Sequence, residues 1–513
     1  MEQQRKEATE RLLSRQGHHN LVPNEENGGA GVCDEGLVAV SNFTSILGLS
    51  TITAACITFG FGCAIGYSSP TQSSIMEDLG LSVAEFSLFG SILSIGSLIG
   101  AAISGKITDL FGRKLTMWIL NLFYIGGWLA IAFTKAPWLL NLGRLSLGFT
   151  NGISNYLASI YVAEITTKNV RGRFTIIVQF LTGWGVSFMF VVGSFVHWRT
   201  LALLATIPAL LQLLLLFFIP ESPQWLMSTI RVSLKFYSYG SVPILKAQAK
   251  FGREKELEAA LLCLRGDKAD ISHEATEIKD YVESLKSFSS EGILDIFQKK
   301  YVRPLLTVAG ALVLMNLGGI NALTYYSGAI FVSAGVSSMV GLITLAATQT
   351  VIGILGATLI DKLGRRPLLL VSSAGLRFSS FLTGVSFFLM DSDISPSSLH
   401  VARFVSSPSC MLTSKMYMGS YALGGVLPLL LLSELFPINV KGSAGSMCNF
   451  MGNFTGWVVA YYFNFLIEWS STGIFFIFSA FSFANFILTA TMVPETKGRT
   501  LEEIRASITH SSD

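Results

Sequence analysis

Gly105-Lys106-Ile107-Thr108-Asp109-Leu110-Phe111-Gly112-Arg113-Lys114 closes one long apolar run, and Ile360-Asp361-Lys362-Leu363-Gly364-Arg365-Arg366 closes another 252 positions later. Charged loops that recur in register with hydrophobic segments predict a duplicated membrane protein. Two further pairs keep the same order. Glu164 followed by Asn169-Val170-Arg171-Gly172 recurs 270 positions on as Glu434 followed by Asn439-Val440-Lys441-Gly442, and Pro220-Glu221-Ser222-Pro223 recurs as Pro494-Glu495-Thr496-Lys497. Two similar helical bodies can rock about a site at the membrane midplane, so transport is the leading reading.

Composition agrees. Of 513 residues, 51% are hydrophobic and 13% charged, against about 25% charged in a soluble domain. A net charge of +3 is too small to suggest nucleic acid. Cys56, Cys63 and Cys448 lie in apolar runs and Cys33 and Cys263 in stretches expected in the cytosol, so the cysteines read as small packing residues and not as a disulfide framework. The polar first 40 residues hold no apolar core for a cleavable signal.

Apolar stretches near 46–68, 84–105, 115–134, 138–163, 175–197, 199–219, 304–328, 340–361, 367–390, 414–433, 443–467 and 471–493 each approach the about 20 residues that cross about 30 Å of hydrocarbon. They predict an all-α membrane protein with twelve transmembrane helices in two pseudo-symmetric six-helix bundles, 46–219 and 304–493. A polar tail over 1–45, a helical linker over 220–303 and a C-terminal tail over 494–513 complete the plan. Helices of a soluble protein would show one polar face, and these runs are apolar all round.

Lys106, Arg113, Lys114, Lys168, Arg171, Arg173, Lys362, Arg365, Arg366 and Lys441 make every second loop basic, with exceptions at Lys135, Arg199 and Arg403. That side is expected to be cytoplasmic, with both termini and the linker. Two sequons then stay unglycosylated: Asn42-Phe43-Thr44 as cytosolic, and Asn453-Phe454-Thr455 as buried in a helix. Helical patterning at Glu254–Leu261 and near Glu274–Leu285 gives the linker several helices, either joining the halves functionally or only connecting them.

Asp-x-x-Gly-Arg-Arg/Lys after spans two and eight, Gly143-Arg144, Pro220-Glu221-Ser222-Pro223-Gln224-Trp225-Leu226 and Pro494-Glu495-Thr496-Lys497-Gly498-Arg499 resemble the sugar porter family of the major facilitator superfamily. Gly66-Tyr67-Ser68-Ser69-Pro70-Thr71-Gln72 and Ser82–Ile92 look like the plant early-response-to-dehydration type of monosaccharide transporter. The resemblance implies a sugar as the small-molecule partner, a lipid bilayer around the chain and no cofactor. It allows the vacuolar or the plasma membrane, and Glu10-Arg11-Leu12-Leu13, which resembles a dileucine signal without its acidic spacing, leaves the vacuole slightly ahead.

Ion pairs at helix ends suit a gate, because they make and break while partly hydrated. Asp109, Arg113, Glu164, Arg171 and Glu221 form one candidate cluster, mirrored by Asp361, Arg365, Glu434, Lys441 and Glu495. The resemblance implies that these lock the outward-facing state. A topology signal alone would need only Lys and Arg, and acids recur here with the bases.

Substrate contacts are expected from polar groups inside the spans. By resemblance, Gln179 in span five, Asn316 and Asn321 in span seven and the gating tyrosines Tyr325 and Tyr326 bind sugar. Amides both donate to and accept from hydroxyls, although Gln179 also suits a helix-to-helix hydrogen bond. Departures from the family pattern stand beside them. Met315-Asn316 replaces two glutamines, Leu429 follows Pro428 where a tryptophan is usual, and Phe454 replaces another tryptophan. Each lost hydrogen bond costs about 0.5–1.5 kcal/mol, so an altered substrate, weak transport or a sugar sensor on the same fold stays open. A stretch at 227–248, between Trp225-Leu226 and Ala249-Lys250-Phe251-Gly252-Arg253, is extra to the pattern and reads like retained intron sequence. Arg377 within span nine is an error, a pore contact or a snorkelling side chain.

Proton-driven members carry an aspartate in span one. Here the matching position within Phe59–Tyr67 is read as Gly62, which favours facilitated diffusion over proton coupling. An enzyme is disfavoured because no His or Cys cluster, Ser-His-Asp set or phosphate-cradling loop occurs. An ion channel lacks its filter.

Overall fold

The computed structural model describes residues 45–166, 171–227, 255–266, 298–391, 396–425, 427–436 and 438–495, with a few isolated positions between them. These form long helices and no strand among the described residues. The first rod is α1 (Ser45–Gly66) continued by α2 (Ser68–Leu79). Next come α3 (Val83–Phe111), α4 (Arg113–Ala132), α5 (Pro137–Ile165) and α6 (Arg171–Gly193), and then a sixth rod of α7 (Trp198–Leu204) and α8 (Ile207–Leu216). The second half repeats the plan. It runs through α9 (Lys299–Leu317) with α10 (Ile320–Ser333), α11 (Ser338–Leu363), α12 (Arg365–Asp391), α13 (Pro396–Gly424) with α14 (Leu427–Leu435), α15 (Ile438–Trp469) and α16 (Ser471–Met492). Eight of the described helices are long and apolar enough to cross a membrane.

Local chemistry sets the starts and breaks. α3 begins with a reciprocal cap in which Ser82 Oγ accepts from Glu85 N and the Glu85 carboxylate accepts from Ser82 N at 2.9 Å. Pro137 opens α5 and Pro208 opens α8, where a missing N–H costs nothing. The seventh rod breaks at Gly318-Gly319. The tenth differs from the sequence expectation, because α13 starts at Pro396 and not near 414. Its first turns carry Ser, His and Arg, so they give no apolar signal.

The rods pair alike in the two halves. α3 packs on α5 as α11 packs on α13, and α1 on α6 as α9 on α15. The halves meet through α3 against α15 and α6 against α11, which are equivalent pairs under the same exchange. The largest apolar cluster runs across that junction, from Tyr67, Phe86 and Phe89 to Tyr326, Phe463 and Phe478. Smaller clusters centre on each half. Beneath the first half, Leu226, Leu257, Leu261 and Ile278 form a satellite cluster, and Arg265 Nη1 donates to the Ile165 carbonyl at the end of α5 at 3.0 Å. The stretch 230–248, the tails 1–44 and 496–513, both dileucine leucines and Asn42 lie outside the described residues.

Candidate functional site

At the charged loops each half builds the same cap. Gly112 has φ +85° and Gly364 φ +92°, the left-handed region that an L side chain resists. These turns bring a carboxylate over the start of the following helix. Glu221 accepts from Arg113 N at 2.9 Å and Lys114 N at 3.1 Å, and Glu495 accepts from Arg365 N and Arg366 N at 3.2 Å. Negative charge is favoured at a helix N-terminus, where N–H groups lack intrahelical partners. A second mirrored pair ties each loop to the last rod of its half: Lys114 Nζ donates to Ile219 O at 2.8 Å and Arg366 Nη2 to Ala490 O at 2.6 Å.

The first half adds an ion pair. Arg113 donates to Glu164 through Nε at 2.9 Å and Nη2 at 2.8 Å, with Asp109 at 3.2 Å and Ser222 Oγ on the same Glu164 carboxylate. Arg113 and Glu164 are nearly buried, whereas Asp109 is 71% exposed, so the bidentate pair dominates. Burial pushes the Glu221 carboxyl up from its ordinary value, and the three backbone N–H groups of Ser222, Lys114 and Arg113 oppose that shift. The structure thus brings Asp109, Arg113, Glu164 and Glu221 together, and Arg365 with Glu495, each set within its own half. The side chains of Arg171, Asp361, Glu434 and Lys441 lie outside the described set.

Midway along the rods, the seventh breaks where Gly319 takes φ +98°, with the Phe478 ring occupying the place where a Cβ would stand. Tyr417 Oη donates to the freed Gly318 carbonyl at 2.8 Å. Beside the break Asn321 Nδ2 donates to Asn316 Oδ1 at 3.0 Å, and Asn316 Nδ2 donates to Leu312 O at 2.9 Å. Gly456 of α15 brings its backbone against this amide couple. Met315 is buried in an apolar cluster with Leu312 and Cys448. Phe454 is exposed and lies about half a helical turn away from Gly456. The side chains of Gln179 and Leu429 lie outside the described set.

Tyr325 and Tyr326 serve the junction. Tyr326, wholly buried, donates to Ala460 O at 2.9 Å, stacks on Phe463 at 5.4 Å and meets Phe86 of the first half edge-on at 6.3 Å. Around them the halves join by Asn464 Nδ2 to Ser87 Oγ and Gly328 N to Ser69 Oγ, both 2.9 Å, and by Thr350 Oγ1 to Ser187 Oγ at 3.1 Å. The first two bonds lie toward the end opposite the Gly112 and Gly364 turns, and the third lies midway along α11.

Two residues at the centre carry more weight than their sequence context suggested. Gln349 of α11 has a buried Oε1 without a partner and sets its Nε2 against Gly183 of α6. An amide amid Thr348 and Thr350 in an apolar run was the available signal. Arg144 of α5 is fully buried, donating to Ala64 O at 2.6 Å and to Ser68 Oγ, with its guanidinium 5.0 Å from the Phe89 ring. The α1 residue set against this cation is Ala64. Gly62, two residues earlier, packs on Thr182 and Gly185 of α6 instead.

Twelve rods among the described residues, in two exchange-related halves that meet beside a broken helix with paired amides, define a rocking-bundle transporter of the major facilitator type. The chain belongs to the family described as Sugar (and other) transporter, whose profile matches residues 40–239 and 247–507. Sugar transporter ERD6-like 15 of Arabidopsis thaliana is 44% identical over 467 residues, covering 90% of this chain and 92% of the relative. Sugar transporter ERD6-like 7 from the same plant is 44% identical, covering 90% and 93%. Among solved structures, the inward-open xylose transporter XylE from E. coli matches with a TM-score of 0.69 at 21% identity, over 89% of this chain and 98% of that one. The xylose symporter XylE bound to 6-bromo-6-deoxy-D-glucose matches with a TM-score of 0.66 at 21% identity, over 90% and 99%.

Proposed function

We propose that the chain moves a monosaccharide down its gradient by alternating access, with Asn316, Asn321 and Gln349 contacting sugar hydroxyls and Gln179 as a further contact. The observation that carries this reading is the amide couple at the break of the seventh rod. It is a pair of polar side chains held midway along the second half against Gly456 of α15, where lipid-facing helices have no use for them. Tyr325 and Tyr326 close the path at the end opposite the charged loops. With those loops cytoplasmic, as their Lys and Arg argue, the closed end faces outward and both termini face the cytosol. The vacuolar membrane is the favoured location.

Facilitated diffusion is favoured over proton coupling by Arg144. Its partners are a carbonyl, a hydroxyl and aromatic rings, and no described carboxylate pairs with it. A proton-coupled carrier needs a group there that gains and loses a proton as its surroundings change.

Uptake into proteoliposomes tests both parts. Glucose, fructose, xylose and polyols are offered with and without a pH gradient, with Asn321→Ala as the control. Equilibration without accumulation, lost in the control, is expected. Accumulation driven by the pH gradient overturns uniport, and no uptake of any sugar by folded protein overturns transport.

A further inference from the structure

Inside the first bundle, away from the junction between the halves, α1, α4, α5 and α8 line a partly open cavity of about 20 Å³. Its walls are unusually polar for the interior of a membrane bundle. Asn121 of α4, Asn151 of α5 and Gln212 of α8 line it with Ser154, and all three amides are at least nine-tenths buried. The Nδ2 atoms of both Asn121 and Asn151 have no hydrogen-bond partner. Tyr124, also in the wall, already donates to Gly60 O at 2.6 Å.

Two buried amide donors left without a partner are costly, which asks for an acceptor between them. A water needs about 10–15 Å³ of such volume and two to four polar partners, so this cavity holds one, at most two. We propose that the cavity is a built water site, in which a neutral acceptor bridges Asn121 and Asn151 and uses Gln212 or Ser154 for its own protons. A half-turn of either amide, nearly neutral in shape, presents nitrogen or oxygen to it. The space excludes a sugar, and no acid or histidine lines it, so it is neither a second substrate site nor a proton path. The bridging water ties α4 to α5 and helps the first bundle move as one body. This inference stands independently of the sugar reading.

Synchrotron hydroxyl-radical footprinting of the full chain in nanodiscs, in ¹⁸O-labelled water, tests it. Met117 and Tyr124, both buried and both in the cavity wall, are expected to take up label. Exposed Trp138 and Trp469 are the positive controls, and Met189, buried elsewhere, is the negative one. The paired substitution Asn121→Leu with Asn151→Leu should abolish labelling at Met117 and Tyr124 and leave Trp138 unchanged. Label on the tryptophans but at no more than the Met189 level on Met117 and Tyr124 overturns the proposal. Unchanged labelling in the paired variant does so as well. The parent protein alone decides the first point, so the proposal stays testable if the variant does not fold.

Discussion

Arg113 and Glu164 form a two-pronged ion pair, Nη2 to Oε1 at 2.8 Å and Nε to Oε2 at 2.9 Å, between the start of α4 and the end of α5. Both side chains are about nine-tenths shielded from solvent. Removing one partner of a buried pair leaves the other charge uncompensated, which costs about 3–5 kcal/mol. Glu164→Gln is therefore expected to lower thermal stability in detergent by several degrees, measured by tryptophan fluorescence. Asp109→Asn, at an exposed partner, should change it little.

Glu221 gives a pH signature. Burial holds its carboxyl above the ordinary value of 4.5, so between the two values the folded protein binds more protons than the unfolded one. Stability from this group is full below the unfolded value and is lost as pH rises through the folded one. Melting temperature measured from pH 4 upward should fall less steeply in Glu221→Gln than in the parent.

Asp78 works with the opposite sign. Its carboxylate accepts from Trp198 Nε1 at 2.8 Å and faces His197 Nε2 at 3.0 Å, and the Trp198 bond is the main cause that holds its pKa below the ordinary value. Such a group stabilises above its unfolded pKa, and that contribution is lost as pH falls through the folded one. Trp198→Phe should move the onset of acid unfolding to higher pH, read by circular dichroism.

Arg377 packs its guanidinium 3.8 Å from the Phe483 ring centre, bridging α12 and α16, with Phe378 at 5.8 Å. That contact gives the odd arginine of span nine a packing role away from the amide couple. Cation–π contacts are worth about 0.5–2 kcal/mol. Phe483→Leu should therefore lower the melting temperature more in the parent than in a protein that already carries Arg377→Leu. The double-mutant cycle isolates the pair, since the lost ring packing is common to both arms.

The bundle plan was legible because each rod is a long apolar run and each charged loop occurs twice. The breaks at Gly318-Gly319 and Gly424 were not, since hydropathy averages over them, and the polar first turns of α13 hid its start for the same reason. Asn321 was legible by resemblance, and its partner Asn316 by position. Gln349 and the Ala64 contact of Arg144 were not, because they depend on which helix faces which, a property of packing that no local pattern encodes. Of the acids expected at the gate, Asp109, Glu164, Glu221 and Glu495 fall among the described side chains. Their division into an ion pair, Glu164, and two helix caps, Glu221 and Glu495, follows from the tight turns at Gly112 and Gly364, which only the backbone angles reveal.

Ala64→Asp is the most discriminating change for energy coupling. Arg144 Nη1 sits 2.6 Å from the Ala64 carbonyl in a fully buried setting, so a carboxylate on that residue lies within reach of a fixed cation. In the outward-closed arrangement the pair would hold the acid ionised, and when the halves rock and water enters, the acid would bind a proton more readily. Uptake by the parent should vary little between pH 5 and pH 7.5 on account of this site, since no described carboxylate pairs with Arg144. The variant should acquire a pH-dependent rate, slowed toward neutral pH where the new ion pair must break on each cycle. The measurement is initial sugar uptake in proteoliposomes at matched internal and external pH. A flat profile in a folded, active Ala64→Asp protein would show that position 64 does not feel Arg144 during transport, and would remove the main support for reading this chain as a uniporter.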